Sequence, residues 1–106
     1  MIESNGSSLL FEFENEGTKI FQIMFEPYGS YYYLKEKSVI RFSGNKNDLN
    51  NILARYTGNC VQLIFEGEKI HDTLSIKINE ENIEPGYSQI EYDNLHAKFE
   101  NENESR

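Results

Sequence analysis

Hydrophobic and polar side chains alternate along much of the first half of this 106-residue chain. In residues 8–15 one side carries Leu9, Phe11 and Phe13 and the other carries Leu10, Glu12 and Glu14, as in a strand with one wet face. Residues 18–26 repeat the alternation, and Gly17 supplies a turn between the two runs. We therefore expect these two runs to pair with each other as a β-hairpin.

Two further alternating runs follow, at 30–34 and 38–42. The run before them ends at Pro27, because proline has no N–H to donate to a neighbouring strand. Four short strands separated by turns within residues 1–43 favour a sandwich or barrel over an α/β fold.

The segment after the fourth strand fits two different structures. Asp48 is placed to cap a short helix near 48–56, with apolar residues at helical spacing and Gly58 just beyond its end. In the alternative, residues 52–56 form a strand that turns back into the apolar run 60–66. We favour this hairpin, because an isolated helix of about seven residues is only marginally stable.

Alternation returns in the second half at 60–66 and 73–79, whereas residues 87–100 are weakly patterned. The sequence therefore predicts one all-β domain over residues 1–99, an antiparallel β-sandwich or flattened barrel of about six to eight short strands. The last stretch, 100–106, has no apolar residue, so we expect a flexible acidic tail there.

Carboxylates outnumber basic groups, since 18 Asp and Glu against 10 Lys and Arg give a net charge of -8. Nucleic-acid phosphates and anionic membranes repel such a chain unless it carries a local basic patch. The nearest approach to one, Lys35, Lys37 and Arg41, is interrupted by Glu36. We therefore expect no nucleic acid and no membrane as partner. The acidity serves either solubility alone or the attraction of a basic protein.

Candidate catalytic groups are scattered along the chain. His71 precedes Asp72, and His96 follows Asp93 by three residues, but two histidines without metal-ligand spacing favour exposed or capping roles. The seven glycines occur singly, and neither phosphate-loop motif is present. We therefore expect that the protein is not an enzyme and that it binds no metal and no cofactor. The alternative is an enzyme that uses either histidine.

Cys60 is the only cysteine, so the chain forms no intrachain disulfide, which favours a reducing compartment. The thiol opens an apolar strand, where a buried or half-buried structural role is usual. The N-terminal residues lack the basic region of a secretory signal, and no apolar stretch approaches the roughly 20 residues needed to cross a bilayer. We therefore expect a cytoplasmic location.

Four tyrosines cluster in the stretch EPYGSYYYL, residues 26–34. Strand alternation places Tyr31 and Tyr33 on one face and Tyr32 and Leu34 on the other. If Tyr32 and Leu34 face the core, Tyr31 and Tyr33 are exposed on the opposite face of the strand. Their rings then serve either recognition of a partner or cross-strand packing. The candidate binding surface therefore comprises Glu26, Tyr28, Tyr31, Tyr33 and Arg41.

Residues 21–42 resemble a pattern in small, largely uncharacterised bacterial β-rich proteins. In that pattern a strand ends in Glu-Pro-aromatic-Gly, a strand with tyrosine and leucine follows, and the next strand carries an arginine. The matching positions are Glu26, Pro27, Tyr28, Gly29, Tyr33, Leu34 and Arg41. The resemblance covers about a fifth of the chain, and it implies a compact β fold with no known catalytic residue and no assigned ligand.

Two functions follow as hypotheses. The first is a non-enzymatic, acidic protein-binding module, for example an immunity-type inhibitor of a basic toxin or nuclease, because opposite charge steers association and aromatic anchors hold it. The alternative is a small carbohydrate-binding module in which Tyr31 and Tyr33 stack on sugar rings. The oligomeric state cannot be deduced from these patterns.

Overall fold

The computed structural model describes residues 7–26, 30–58, 60–83 and 89–104, and within these ranges the chain forms eight strands, a short 3-10 helix and two α-helices. The strands are β1 (Ser7–Glu14), β2 (Phe21–Glu26), β3 (Ser30–Leu34), β4 (Val39–Asn45), β5 (Asn51–Thr57), β6 (Cys60–Glu66), β7 (Ser75–Ile78) and β8 (Glu81–Asn82). The helices are the 3-10 helix Lys46–Asp48, α1 (Ile70–Thr73) and α2 (Gln89–Glu104). The β-rich fold predicted from the alternation is confirmed.

The described strands form two four-stranded sheets. Sheet A has the order β1-β4-β7-β8, and all of its neighbours are antiparallel. Sheet B has the order β3-β2-β6-β5, in which β2 and β6 run parallel. A parallel pair needs a long connection, and here β3, β4 and β5 lie between its two members. The prediction of an antiparallel arrangement is therefore wrong for this one pair. Of the two predicted architectures, the barrel is wrong, because the described strands form two separate sheets.

Aromatic side chains from both sheets meet in one core. Phe42 of sheet A packs against Phe25 and Phe65 of sheet B, with ring centroids 5.2 Å apart in both pairs. None of the three rings is more than 2% exposed. Full burial of a phenylalanine contributes roughly 1.5–3 kcal/mol. The two sheets therefore pack face to face because alternation gives each of them one apolar face.

The first two strands do not pair with each other, so the predicted hairpin is wrong. β1 pairs with β4 in sheet A, whereas β2 belongs to sheet B. The buried side chain of Asn15 donates to the carbonyl oxygens of Lys19 and Leu34, both at 2.8 Å. Its own oxygen accepts from the Gly17 N–H at 3.0 Å. These bonds hold a turn that carries the chain from one sheet to the other.

The strand interpretation of the ambiguous segment is confirmed. β5 pairs antiparallel with β6, with Ile52 opposite Phe65 and Tyr56 opposite Val61. The alternative prediction of a helix near 48–56 is wrong. Most of that segment is strand β5, and the only helical turn among the described residues there is the 3-10 helix Lys46–Asp48.

Helix α2 covers part of the outer face of sheet B. Its apolar face was weakly marked in the sequence, because only three aromatic or aliphatic residues carry it. They are spaced i, i+3 and i+7, which is one side of a helix. These residues are Tyr92, Leu95 and Phe99, and they pack against Ile20, Tyr31 and Tyr33.

The end of α2 is attached to sheet B by a hydrogen bond. Glu102 accepts from the backbone N–H of Ile20 at 2.8 Å. The predicted flexible tail is therefore wrong for residues 100–104, which continue the helix, while residues 105–106 lie outside the described part of the chain.

Gly67, just after β6, lies where two backbone segments cross. A Cβ added at Gly67 would collide with the carbonyl oxygen of Asp48, whereas one added at Gly58 would meet nothing within 4 Å. We expect Gly67→Ala to lower the free energy of unfolding by about 2–3 kcal/mol, as overpacking does. Gly58→Ala, the matched control, lowers it by about 1 kcal/mol, because its φ of 58° is left-handed. Urea unfolding measures both free energies. Equal losses of stability in the two variants would contradict the close approach of the backbone at Gly67 to that at Asp48.

Candidate functional site

The tyrosine run of β3 is divided between the two faces of sheet B. Tyr32 and Leu34 belong to the core between the sheets, as alternation predicts. Tyr31 and Tyr33 lie on the other face, but Tyr33 is 0% exposed because α2 covers it. The expectation that both tyrosines are displayed is therefore wrong for Tyr33, and Tyr31 is half-buried.

Tyr33 is the centre of the contact between α2 and sheet B. Its ring lies 5.5 Å from the rings of Tyr92 and Phe99 and 5.6 Å from the imidazole of His96, measured between centroids. Tilted and edge-on aromatic pairs of this kind contribute about 0.5–1.5 kcal/mol each beyond their burial. The cluster therefore fastens the helix to the strand.

A chain of hydrogen bonds crosses the same contact. Gln22 donates its amide to the Tyr33 hydroxyl at 3.1 Å, and that hydroxyl lies 2.6 Å from Nδ1 of His96. Nε2 of His96 lies 3.3 Å from the carboxylate of Glu100. With His96 neutral and protonated at Nε2, Tyr33 donates to Nδ1 and the imidazole donates to Glu100. The chain links β2, β3 and α2.

Burial, followed by the neighbouring phenol of Tyr92, holds the pKa of Tyr33 well above the ordinary tyrosine value. A neutral, buried phenol is a hydrogen-bonding group rather than a nucleophile at neutral pH. Tyr33 and His96 therefore act here as an attachment for α2.

The two histidines do not share a site. The His71 ring lies 5.9 Å from Phe25, on the core side of sheet B, whereas His96 lies on the outer side with Tyr33. Cys60 is half-buried, and burial raises the pKa of its thiol. Within the described ranges no three His, Cys, Asp or Glu side chains come close enough to hold a metal ion.

Arg41 lies apart from the tyrosines, on the outer face of sheet A. It forms ion pairs with Glu12, at 2.9 Å, and with Glu80. Tyr28, another residue of the predicted surface, lies outside the described residues. The structure therefore does not bring Arg41 together with Tyr31 and Tyr33.

Among the described residues, no helix or strand packs over the part of the outer face of sheet B next to α2. We use the term open face for four half-buried residues on neighbouring strands: Met24, Glu26, Gln62 and Ile64. Met24 lies opposite Gln62, and Glu26 lies opposite Ile64. Neighbouring strands of a sheet lie about 4.7–4.9 Å apart, so the four form one continuous patch.

Two of the residues predicted from the sequence belong to this region. Glu26 is part of the open face and accepts a hydrogen bond from Gln62 at 3.4 Å. Tyr31 lies opposite Met24 on β3 and borders the face. Met24, Gln62 and Ile64 were missed, although the alternation of their strands places them on the same side.

Helix α2 adds negative charge to the side of sheet B on which the open face lies. Its sequence contains five carboxylates and one lysine, Lys98, so the helix carries half of the chain's net charge of -8. Glu91, Asp93 and Glu100 are exposed. On the opposite side, Arg55 of β5 lies across from Gln62. The face thus combines two apolar side chains with a hydrogen-bonded carboxylate and amide, and Arg55 lies at its β5 edge.

The fold and this region define a β-rich protein of two sheets with a helix-bordered, partly apolar sheet face. Comparison of the chain with protein-family models, curated proteins and solved structures found no match. Among the described residues no helix is both long enough and apolar enough to span a membrane.

The attachment of α2 predicts how stability depends on pH. Because the pKa of Tyr33 is raised in the folded protein, the unfolded chain loses this phenolic proton at a lower pH than the folded chain does. The contribution of Tyr33 to the free energy of unfolding is therefore complete below about pH 10 and is lost as pH rises further. Tyr33→Phe should lower the free energy of unfolding by about 1–3 kcal/mol near neutral pH, since Gln22 and His96 lose a partner. It should also flatten the alkaline decline.

Urea unfolding from about pH 8 to about pH 11, across the ordinary tyrosine pKa, measures both effects. Tyr56→Phe is the matched control, because Tyr56 is 70% exposed and the loss of its hydroxyl should leave the decline unchanged. An alkaline decline in Tyr33→Phe as steep as in the wild type would show that Tyr33 does not cause it.

Proposed function

We propose that this chain is a non-enzymatic protein-binding module that binds a basic partner through the open face. The observation that carries the proposal is the position of a half-buried apolar pair, Met24 and Ile64, beside the acidic helix α2. An immunity-type inhibitor of a basic toxin or nuclease is the particular role that we propose for such a module.

The two apolar side chains of the open face support the proposal through their packing. Met24 and Ile64 are held on neighbouring strands of a rigid sheet, so little conformational entropy is lost when a partner covers them. Methionine is unbranched and polarisable, which lets it adapt to the partner's surface. Glu26 and Gln62 lie between them and offer a carboxylate and an amide to polar groups at the rim.

The charge distribution supports a basic partner. Carboxylates on α2 create a negative field on the side of sheet B that carries the open face, and such a field raises the association rate of a cationic protein. Salt screens this field over about 8–10 Å at physiological ionic strength. Binding should therefore be faster at low salt, whereas the contacts of Met24 and Ile64 determine how slowly the partner dissociates.

The carbohydrate hypothesis loses its main support in this structure. It required Tyr31 and Tyr33 as two displayed rings, and Tyr33 is buried under α2. No other observation favours a sugar over a protein surface at the open face.

A pair of charge reversals tests the proposal. Glu26→Lys places a cation in the open face, and Glu14→Lys makes the same change in net charge on the exposed end of β1 in sheet A. Immobilised wild-type protein is first used to capture partners from a lysate of the source cells, and the captured protein is then purified. We expect Glu26→Lys to weaken its binding by roughly tenfold or more and Glu14→Lys to have little effect.

Isothermal titration calorimetry at low and physiological salt measures both variants, and circular dichroism checks that they fold. Recovery of no basic protein would contradict the proposed partner. Equal losses in the two variants would contradict the open face as the place where it binds.

A further inference from the structure

Strand β5 leaves one long sheet edge unpaired. It is the outermost strand of sheet B, and among the described residues no strand pairs with its free side. Six of its seven residues are exposed, and Ile52 is half-buried. A row of free backbone N–H and C=O groups of this length is a template for another strand.

The other three edges carry features that discourage pairing. β1 has a register shift between Leu9 and Phe11 and two outward glutamates. β8 is two residues long, and β3 is five residues long and packed beneath α2. β5 has none of these features: its pairing with β6 is regular over all seven residues, and it contains no proline, glycine or carboxylate.

The sequence of β5, NILARYT, has similar chemistry when read in either direction from Ala54. Antiparallel pairing about a two-fold axis at Ala54 would place polar Asn51 opposite Thr57. It would also place Ile52 opposite Tyr56, which is 70% exposed in the single chain. Leu53 would lie opposite Arg55, whose aliphatic part can cover an apolar side chain. No two like charges would face each other.

We infer that β5 pairs antiparallel with β5 of a second copy of this chain, with Ala54 at the two-fold axis. The two copies then share one continuous sheet of eight strands, made from two copies of sheet B. The interface is isologous, so each contact occurs twice. It is also small, and the dimer forms and dissociates reversibly with concentration.

Two substitutions at Leu53 test the register. Leu53→Glu places a carboxylate opposite Arg55 of the second copy in both halves of the dimer, and Leu53→Lys places a like charge there. Two charged side chains that face each other on neighbouring strands attract or repel, depending on their signs, by a few tenths to about one kcal/mol per pair. We expect the dimer of Leu53→Glu to be tighter than that of Leu53→Lys by roughly tenfold or more.

Net charge alone predicts the opposite order of dimer affinities, so the comparison separates the proposed register from a general effect of charge. The chain carries -8, so Leu53→Lys reduces the repulsion between copies and Leu53→Glu increases it. Leu53 is 36% exposed, and thermal melts followed by circular dichroism check that both variants fold. Sedimentation velocity over a wide concentration range measures the dimer. A wild type that remains monomeric throughout, or a tighter dimer for Leu53→Lys, would overturn the inference.

Disulfide formation provides an independent readout in a Cys60→Ser background. Directly opposed residues of antiparallel strands have Cα atoms about 4.5–5.5 Å apart, within the range of a disulfide. Ala54→Cys should therefore form a cross-linked dimer on mild oxidation. In Thr57→Cys, the matched control on the same edge, the two thiols lie about 20 Å apart along the strands and should not react. Equal cross-linking of both variants would contradict the register.

Discussion

The hydrogen bonds of the Tyr33 hydroxyl fix where helix α2 lies on sheet B, and the candidate site depends on that position. The hydroxyl receives a hydrogen bond from Gln22 on β2 and contacts His96 on α2, so one buried group joins two strands and a helix. The helix needs this attachment, because its sequence is rich in like charges and its apolar face has only three large members. A second attachment, from Ile20 to Glu102, lies near the other end. Together they determine which half of the outer face of sheet B is covered and which half is open.

Local patterns predicted the strands well, because alternation reports which face of a strand is buried whatever its partner is. The pairing of the strands depends on distant residues. Asn15 and Gly17 look like an ordinary hairpin turn, and only the bond from Asn15 to the carbonyl of Leu34 shows that the chain changes sheets there. The parallel pairing of β2 with β6 leaves no local signal at all. Helix α2 was missed because polar His96 and Glu102 complete its inward face, so the hydrophobic period is faint.

The candidate site shows the same division. Alternation correctly placed Tyr31 and Tyr33 on the face opposite Tyr32 and Leu34, but it could not show what covers that face. Arg41 was also assigned to the candidate surface, whereas β4 belongs to the other sheet and Arg41 forms ion pairs with Glu12 and Glu80 there. The open face combines residues from β2 and β6, which are about 40 positions apart in the chain. A surface formed in that way has no signature in any single stretch.

The position of the acidic helix bears directly on the proposed pairing of β5. Sheet B has the order β3-β2-β6-β5, so α2, which covers β3, lies at the edge farthest from β5. In a shared sheet of eight strands the two copies of β3 are the outermost strands. At about 4.8 Å per strand they are roughly 34 Å apart. That separation is more than three Debye lengths at physiological ionic strength. The helices therefore repel each other little in the dimer, while both open faces lie on one continuous surface. A partner with two basic patches could contact both faces, and the second contact would be intramolecular. Dimer formation would then strengthen binding without any new residue in either open face.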